Sequence, residues 1–422
     1  MLRPLLAILV LAGASAAPAA AQPTARVRFD EALDLADHAP AVEGTRRALA
    51  AREAGDEGIG GTARATQITA MPGAAIAPDQ EQGFELQVNV TQGWNLGDLG
   101  GARRRSAARE REALRARARA EALRARIEAA RRWLDLRALE RLEASLEARV
   151  AVVRERVDAT ERAMAAGLRT EADLADARAL AAELAQARLR IHGERFEAAT
   201  QLAEAMGRAP LGDDPETMIV TAGAAPTPEL PSPEGVRARL ASLDELPDVT
   251  ARRLAETAAR AREVEAAARY APVLQLGAQL ERTAADVWVL YGIAGLSFSA
   301  FGQGDRDVAL ARAEAEEAAG RAEAARVRAR AALTRATHEV EHTRRRLASL
   351  EERLLPALET LRARRERALE LGEGTVFEVM EARRRELEAR AWVERARGAR
   401  RWAEVRLWLL LSELERGAEE AP

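Results

Sequence analysis

The chain has 422 residues, 31 % of them charged and 3 % aromatic, and it has no cysteine. Its 64 basic side chains are all arginine, set against 67 Asp plus Glu for a net charge of −3. That balance excludes the basic excess that a nucleic-acid-binding face requires, and the lack of cysteine excludes disulfides and a lipid-acceptor thiol.

Residues 1–21 carry Arg3 and Pro4, the apolar run LLAILVLAG and small residues ending in Ala19, Ala20 and Ala21. This predicts an export signal cut before Gln22, with the mature chain in the cell envelope. No later stretch reaches the 18 or so uncharged apolar residues of a membrane helix. Insertion into a membrane would then require a β-barrel, because every backbone group needs a partner in lipid.

A first unit is expected at 22–207. It opens with helices over 29–54, FDEALDLADHAPAVEGTRRALAAREA, with Pro40 starting the second. A strand pair is expected at about 63–98, because Phe84, Leu86, Val88 and Val90 alternate with Glu85, Gln87, Asn89 and Thr91. Such a strand has one apolar and one polar face, which suits a barrel with lipid outside and lumen inside, and equally any half-buried strand. Glu85, Gln87, Asn89 and Thr91 are the candidate lumen residues, and Trp94 a candidate interfacial aromatic. From 102 to about 165 there is no proline and no glycine, so one helix of about 95 Å is expected at 1.5 Å per residue. A break at Gly167 and a return helix at about 170–206 complete the unit.

Residues 208–235, rich in Pro, Gly and Thr, read as a connecting loop. The second unit, 236–416, repeats the first: a helix at about 249–269, a strand pair at about 271–301, a long helix at about 305–371 and a return helix at about 375–415, before a tail at 417–422. Pro356 should kink the long helix. At an offset of 205, GLRTEADLADA (from Gly167) matches GEGTVFEVMEA (from Gly372), pairing Gly with Gly, Thr170 with Thr375, Asp173 with Glu378 and Asp176 with Glu381. Gly167 and Gly372 are candidate helix C-caps. Thr170 with Asp173, and Thr375 with Glu378, are candidate capping boxes. The fold class is therefore mainly α with a small β part, built from a duplicated strand pair and long α-hairpin. One chain offers about four strands, too few to close a barrel, so a membrane form needs several chains.

The opening helices, the two tip motifs and the run LPDVTARRLAETAARAREVEAAARYAPVLQL (246–276) together resemble the outer-membrane factor family of TolC-type efflux channels, over nearly the whole mature chain. The resemblance implies a homotrimer with a 12-stranded barrel in outer-membrane lipid and a 12-helix periplasmic α-barrel. It also implies a periplasmic adaptor and an inner-membrane pump of the resistance-nodulation-division or ABC type, serving efflux or type I secretion. By the same resemblance, Asp173, Asp176, Glu378 and Glu381 ring the periplasmic entrance, and Gly167, Leu168, Gly372 and Glu373 form adaptor-docking tips. The sequence departs from the family at Gly374, where some members carry a latching arginine, and in lacking the lipidated cysteine of many members. No catalytic residue, cofactor or metal is expected.

Two other readings stay open. One is a soluble periplasmic coiled-coil scaffold. The other is a zinc-dependent hydrolase using His338, Glu339 and His342, which spell H-E-x-x-H within THEVEHT. Glu341 inside the motif, Arg344, Arg345 and Arg346 after it, and the absence of a nearby third histidine all speak against the hydrolase. A solvated or inter-helix polar pair is the default.

Overall fold

A computed structural model describes residues 25–56, 67–75, 83–208, 219–282, 287–298, 302 and 304–420. The export signal at 1–21 and the last two residues lie outside them.

The chain opens with a short strand, β1 (Arg26–Arg28), and two helices, α1 (Phe29–Ala36) and α2 (Pro40–Asp56). Strands β2 (Gln67–Ala75) and β3 (Gly83–Asn95) follow, then the helix α3 (Leu99–Ala165). At 67 residues α3 is about 100 Å long. It starts three residues before the expected position because Asp98 caps it, its carboxylate accepting from the Gly101 N–H at 3.1 Å. The return helix α4 (Glu171–Ala205) is about half as long.

The stretch 208–235, expected to be a loop, contains a strand, β4 (Val220–Ala222), and the start of a short helix, α5 (Pro233–Ala238). β4 pairs in parallel with β1, Arg26 opposite Val220. Three-residue strands are too short to show a period, which is why the sequence reading missed both. A 3-10 turn (Arg239–Glu245) leads into α6 (Pro247–Arg269), strands β5 (Val273–Arg282) and β6 (Trp288–Ser297), and the second long helix.

That helix is α7 (Asp305–Ser349), a π turn (Leu350–Leu354) and α8 (Leu355–Glu370), with α9 (Val376–Glu420) returning. The irregularity expected at Pro356 falls just before it. The Leu355 N–H donates to the Leu350 carbonyl five residues back. A wider turn there relieves the clash between a proline ring and the preceding turn, so the helix continues through the proline.

Among the described residues the larger sheet has the order β2-β3-β5-β6, antiparallel throughout. Each half supplies a hairpin, and the β3–β5 seam joins them. Each long helix changes partner along its length. Near the sheet, Ala116 and Ala120 of α3 pack on Ala251 of α6. Further along, Leu142, Leu146, Val150 and Val153 pack on Leu180, Leu184 and Ile191 of α4. The second hairpin packs likewise in its middle, Leu347 of α7 on Val393 and Ala396 of α9, but is held differently toward its tip. α8 buries no residue, and ion pairs cross to α9: Arg362–Glu386 at 2.6 Å, Arg365–Glu378 at 2.9 Å and Glu359–Arg390 at 2.9 Å.

The largest cluster lies where α1, α3, α4 and α9 meet, around Trp133, Leu136, Leu202, Val405 and Leu409. Trp133 is fully buried; Trp402 and Trp408 pack beside it, and Trp392 remains exposed.

The seam depends on Gly277, which faces Thr91. A Cβ at this position would press on the Val90 carbonyl oxygen and lie 3.0 Å from the Thr91 Cα, both backbone atoms that cannot swing away. Gly277→Val should therefore abolish the protease-resistant folded chain. Gly292→Val on β6, where a Cβ meets nothing within 4 Å, should leave the yield unchanged. Equal yields from the two variants would refute this account of the seam.

Candidate functional site

Register sorts the sheet into two faces. Directly opposed residues share a face, so Val88, Ala70, Leu280 and Leu290 lie together, as do Trp94, Leu274 and Leu296. This face is apolar, yet much of it is open, with Ile68 70 % and Leu290 71 % exposed. Trp94 marks one end of it. Trp288 marks the other, with the Arg282 guanidinium 6.0 Å from its ring centroid. The two rows are eight residues apart on β5, about 27 Å at 3.4 Å per residue.

The opposite face is polar. Gln87, Asn89 and Thr91 are set beside Glu281, Gln279 and Gly277 of β5, and Thr69 of β2 faces Asn89. Glu85 occupies the same face by register, opposite Gly73, but its side chain is outside the described residues. The sequence reading missed Gln275, Gln279 and Glu281. The signal was present in VLQLGAQLER, where these residues alternate with Leu274, Leu276, Ala278 and Leu280.

At the far end of the long helices the two tips are built alike. Gly167 (φ 72°) and Gly372 (φ 78°) adopt the left-handed conformation that glycine enters without strain. The Leu168 N–H donates to the Ala163 carbonyl at 2.8 Å and the Glu373 N–H to the Ala368 carbonyl at 2.9 Å, so both helices close with the same hydrogen bond to the carbonyl five residues back. The return helices then start on capping boxes. The Thr170 N–H donates to Asp173 (3.0 Å) and the Asp173 N–H to Thr170 Oγ1 (3.2 Å); Thr375 and Glu378 repeat this at 3.2 and 3.3 Å. Gly374 sits tightly, a Cβ there meeting Ala368 Cβ and Leu369 N at 3.3 Å. Large apolar side chains stand open at the tips: Leu168 is 76 % exposed and Phe377 66 %, with Leu371 also exposed.

The four acidic candidates differ in their partners. The Thr170 backbone N–H holds the Asp173 carboxyl below its usual range. Glu378 caps its helix and pairs with Arg365 at 2.9 Å. Glu381 receives Arg384 (2.9 Å) and Arg385 (2.8 Å), and these guanidinia hold its carboxyl down to about 2. Asp176 forms no ion pair among the described residues. The second tip thus carries an arginine clamp that the first lacks, since Arg384 and Arg385 stand where the first copy has Ala179 and Leu180.

His338 and His342 share an exposed helix face, with ring centroids 6.2 Å apart. The Glu339 carboxylate turns to Arg406 on α9 at 3.2 Å, and Glu341 to Arg345 at 3.3 Å. Among the described residues no group of three or more His, Asp or Glu side chains gathers as a metal site.

No protein-family model matches the chain, and no curated protein matches it in sequence. Solved structures do match in shape. A membrane protein from Pseudomonas aeruginosa superposes with a TM-score of 0.75 at 17 % identity, covering 92 % of this chain and 91 % of that one. CusC, whose structures concern folding and transmembrane channel formation, gives 0.74 at 14 %, covering 93 % of each chain. The Campylobacter jejuni CmeC outer-membrane channel gives 0.74 at 14 %, covering 93 % and 88 %. At such identities the likeness is one of fold: the chain has the fold of outer-membrane factor channels.

Proposed function

We propose that the chain is one subunit of a trimeric outer-membrane duct that passively conducts solutes delivered by a periplasmic adaptor and an inner-membrane pump, in efflux or type I secretion. The observation that carries this reading is the two-faced sheet. Four strands whose edges, β2 and β6, pair with nothing further among the described residues cannot sit alone in lipid, since each unpaired backbone group would cost several kcal/mol there. Three copies joined edge to edge make a closed barrel of twelve strands, with the Leu- and Val-rich face toward lipid and Gln87, Asn89, Thr91, Gln279 and Glu281 toward the lumen. The apolar face, about 27 Å along the strand, spans roughly 21 Å across the bilayer at a tilt of about 40°, near the apolar band of known barrels. Trp94 and Trp288 are then the two interfacial girdles.

The helical part continues the duct. Four long helical segments per chain, α3, α4, the α7–α8 run and α9, give a twelve-helix tunnel whose tips face the adaptor. The exposed Leu168, Leu371 and Phe377, with the capped turns at Gly167 and Gly372, support docking there.

The test is an outer-membrane fraction run on a gel with and without boiling, together with planar-bilayer recording of the purified protein. A heat-modifiable trimer that conducts ions is expected. A monomeric, freely soluble periplasmic product without conductance would replace the duct with the scaffold reading.

A further inference from the structure

Midway along the molecule, a cavity of about 420 Å³ lies between α3, the loop after β4, the π turn and α9. Five guanidinia line it: Arg137, Arg141, Arg397, Arg400 and Arg401. Only two carboxylates, Glu351 and Glu394, share the lining, and both are engaged by Arg397, at 2.6 and 2.7 Å. Behind the wall, Glu140 accepts from Arg137. The buried Glu404 serves Arg400, Arg401 and Arg344 at once, at 3.0, 3.6 and 3.1 Å. Six guanidinia therefore face four carboxylates, and the surplus is positive.

Two further observations bear on a ligand. The Arg137 Nε is buried and makes no hydrogen bond, an arrangement that ordinarily costs free energy. Arg141, an exposed side chain that borders this cavity, has no ion-pair partner among the described residues, so its guanidinium is available to an anion there. The frame around them is fixed. Arg137 donates to Thr221 Oγ1 (3.2 Å), and Arg401 donates to the Pro226 carbonyl (3.2 Å) and to Thr227 Oγ1 (3.0 Å). Gly398 lets α9 approach α3 closely, since a Cβ there would lie 3.1 Å from Ala138 Cβ.

We propose that this cavity binds a small oxyanion of two or more negative charges. Planar guanidinium forks match oxyanions in pairs of hydrogen bonds, and a recess between helices strengthens each of them. A lipid headgroup is too far away to be the source. Arg137 lies 38 residues beyond Leu99, the sheet end of α3, which is about 57 Å along the helix. The ligand is therefore a dissolved anion, and inorganic phosphate is the probe. The site is independent of whether the assembled chain conducts.

Titration calorimetry and thermal melting of the full-length protein in detergent, in phosphate against chloride at matched ionic strength and pH 7.5, test this. Phosphate should bind with a Kd below about 1 mM, an affinity that a few charge-assisted hydrogen bonds supply, and should raise the melting temperature. Arg141→Gln should weaken binding roughly tenfold or more while melting like the parent in chloride. Arg330→Gln, exposed elsewhere on α7, should bind like the parent. A phosphate effect no larger than that of chloride overturns the proposal; it is also the result expected if an acidic side chain of a neighbouring subunit fills the cavity. Undiminished binding by Arg141→Gln overturns it as well.

Discussion

Trp133→Ala is expected to cost about 3–5 kcal/mol, the range for removing a large aromatic from a core, and to prevent accumulation of the assembled protein. Trp133 is 0 % exposed in the cluster where α1, α3, α4 and α9 meet. Its Nε1–H donates to the Val27 carbonyl at 2.9 Å, and its ring meets Phe29 edge-on at 5.4 Å. One side chain therefore anchors β1, and through β1 its partner β4, onto the middle of α3. Trp133→Phe keeps most of the apolar volume and loses the hydrogen bond, so a smaller loss of about 1–2 kcal/mol is expected. Melting in detergent and the amount of the proposed outer-membrane trimer measure both. If the alanine variant melts within a degree or two of the parent, Trp133 does not hold this junction.

The second large effect concerns charge at the proposed entrance. The resemblance treats Asp173, Asp176, Glu378 and Glu381 as equivalents, but their partners divide them. Asp173 and Glu378 are committed to caps. Glu381 and Glu388 are balanced by Arg384 and Arg385. Asp173 and Asp176 are the two of the four without an ion pair among the described residues, and Asp176 has no capping duty either, so in the proposed trimer it would add three charges free of any helix role. Asp176→Asn should lower the cation-over-anion permeability ratio roughly two- to fivefold, the scale of three charges each acting across about one Debye length of 10 Å. Replacing Arg384 and Arg385 by Gln should move the ratio the other way, because it uncovers Glu381.

Acidity separates these cases. In the parent, pairing lowers the Glu381 pKa from 4.5 to about 2. Its stabilising contribution is then complete above about pH 4.5 and fades as pH falls toward 2. Selectivity carried by the parent's Glu381 would survive at pH 4, whereas the gain in the double arginine variant should fade there, once the carboxyl returns toward its ordinary range. Bi-ionic reversal potentials at pH 7 and pH 4 read both. An unchanged ratio in Asp176→Asn would remove this residue from the entrance.

Much of the architecture is legible in one dimension, for local reasons. A proline- and glycine-free run from 102 to 165 leaves little but a helix available to so Ala-, Arg- and Glu-rich a segment. Strict alternation at 84–91 names the two faces of β3. Gly167 and Thr170, repeated at Gly372 and Thr375, spell a helix stop and start whose hydrogen bonds span only a few residues. The H-E-x-x-H run shows the limit of local reading. Its spacing fixes the two imidazoles on one face, but the fate of Glu339 is decided by Arg406 on another helix.

The long helices, the capped tips and the polarity of the strand faces are readable in the residues alone, because each follows from contacts within a turn or a strand; the repeat is readable there too, from matches 205 residues apart. Packing in three dimensions was needed to show that β3 and β5 form the seam, that Trp133 clasps β1, that Arg384 and Arg385 cover Glu381 while Asp176 has no ion pair among the described residues, and that five arginines from α3 and α9 converge on one cavity. Those outcomes depend on which residues far apart in the chain come within a few ångströms of each other. In so arginine- and glutamate-rich a sequence nearly every charge has several plausible partners, and helix packing selects among them.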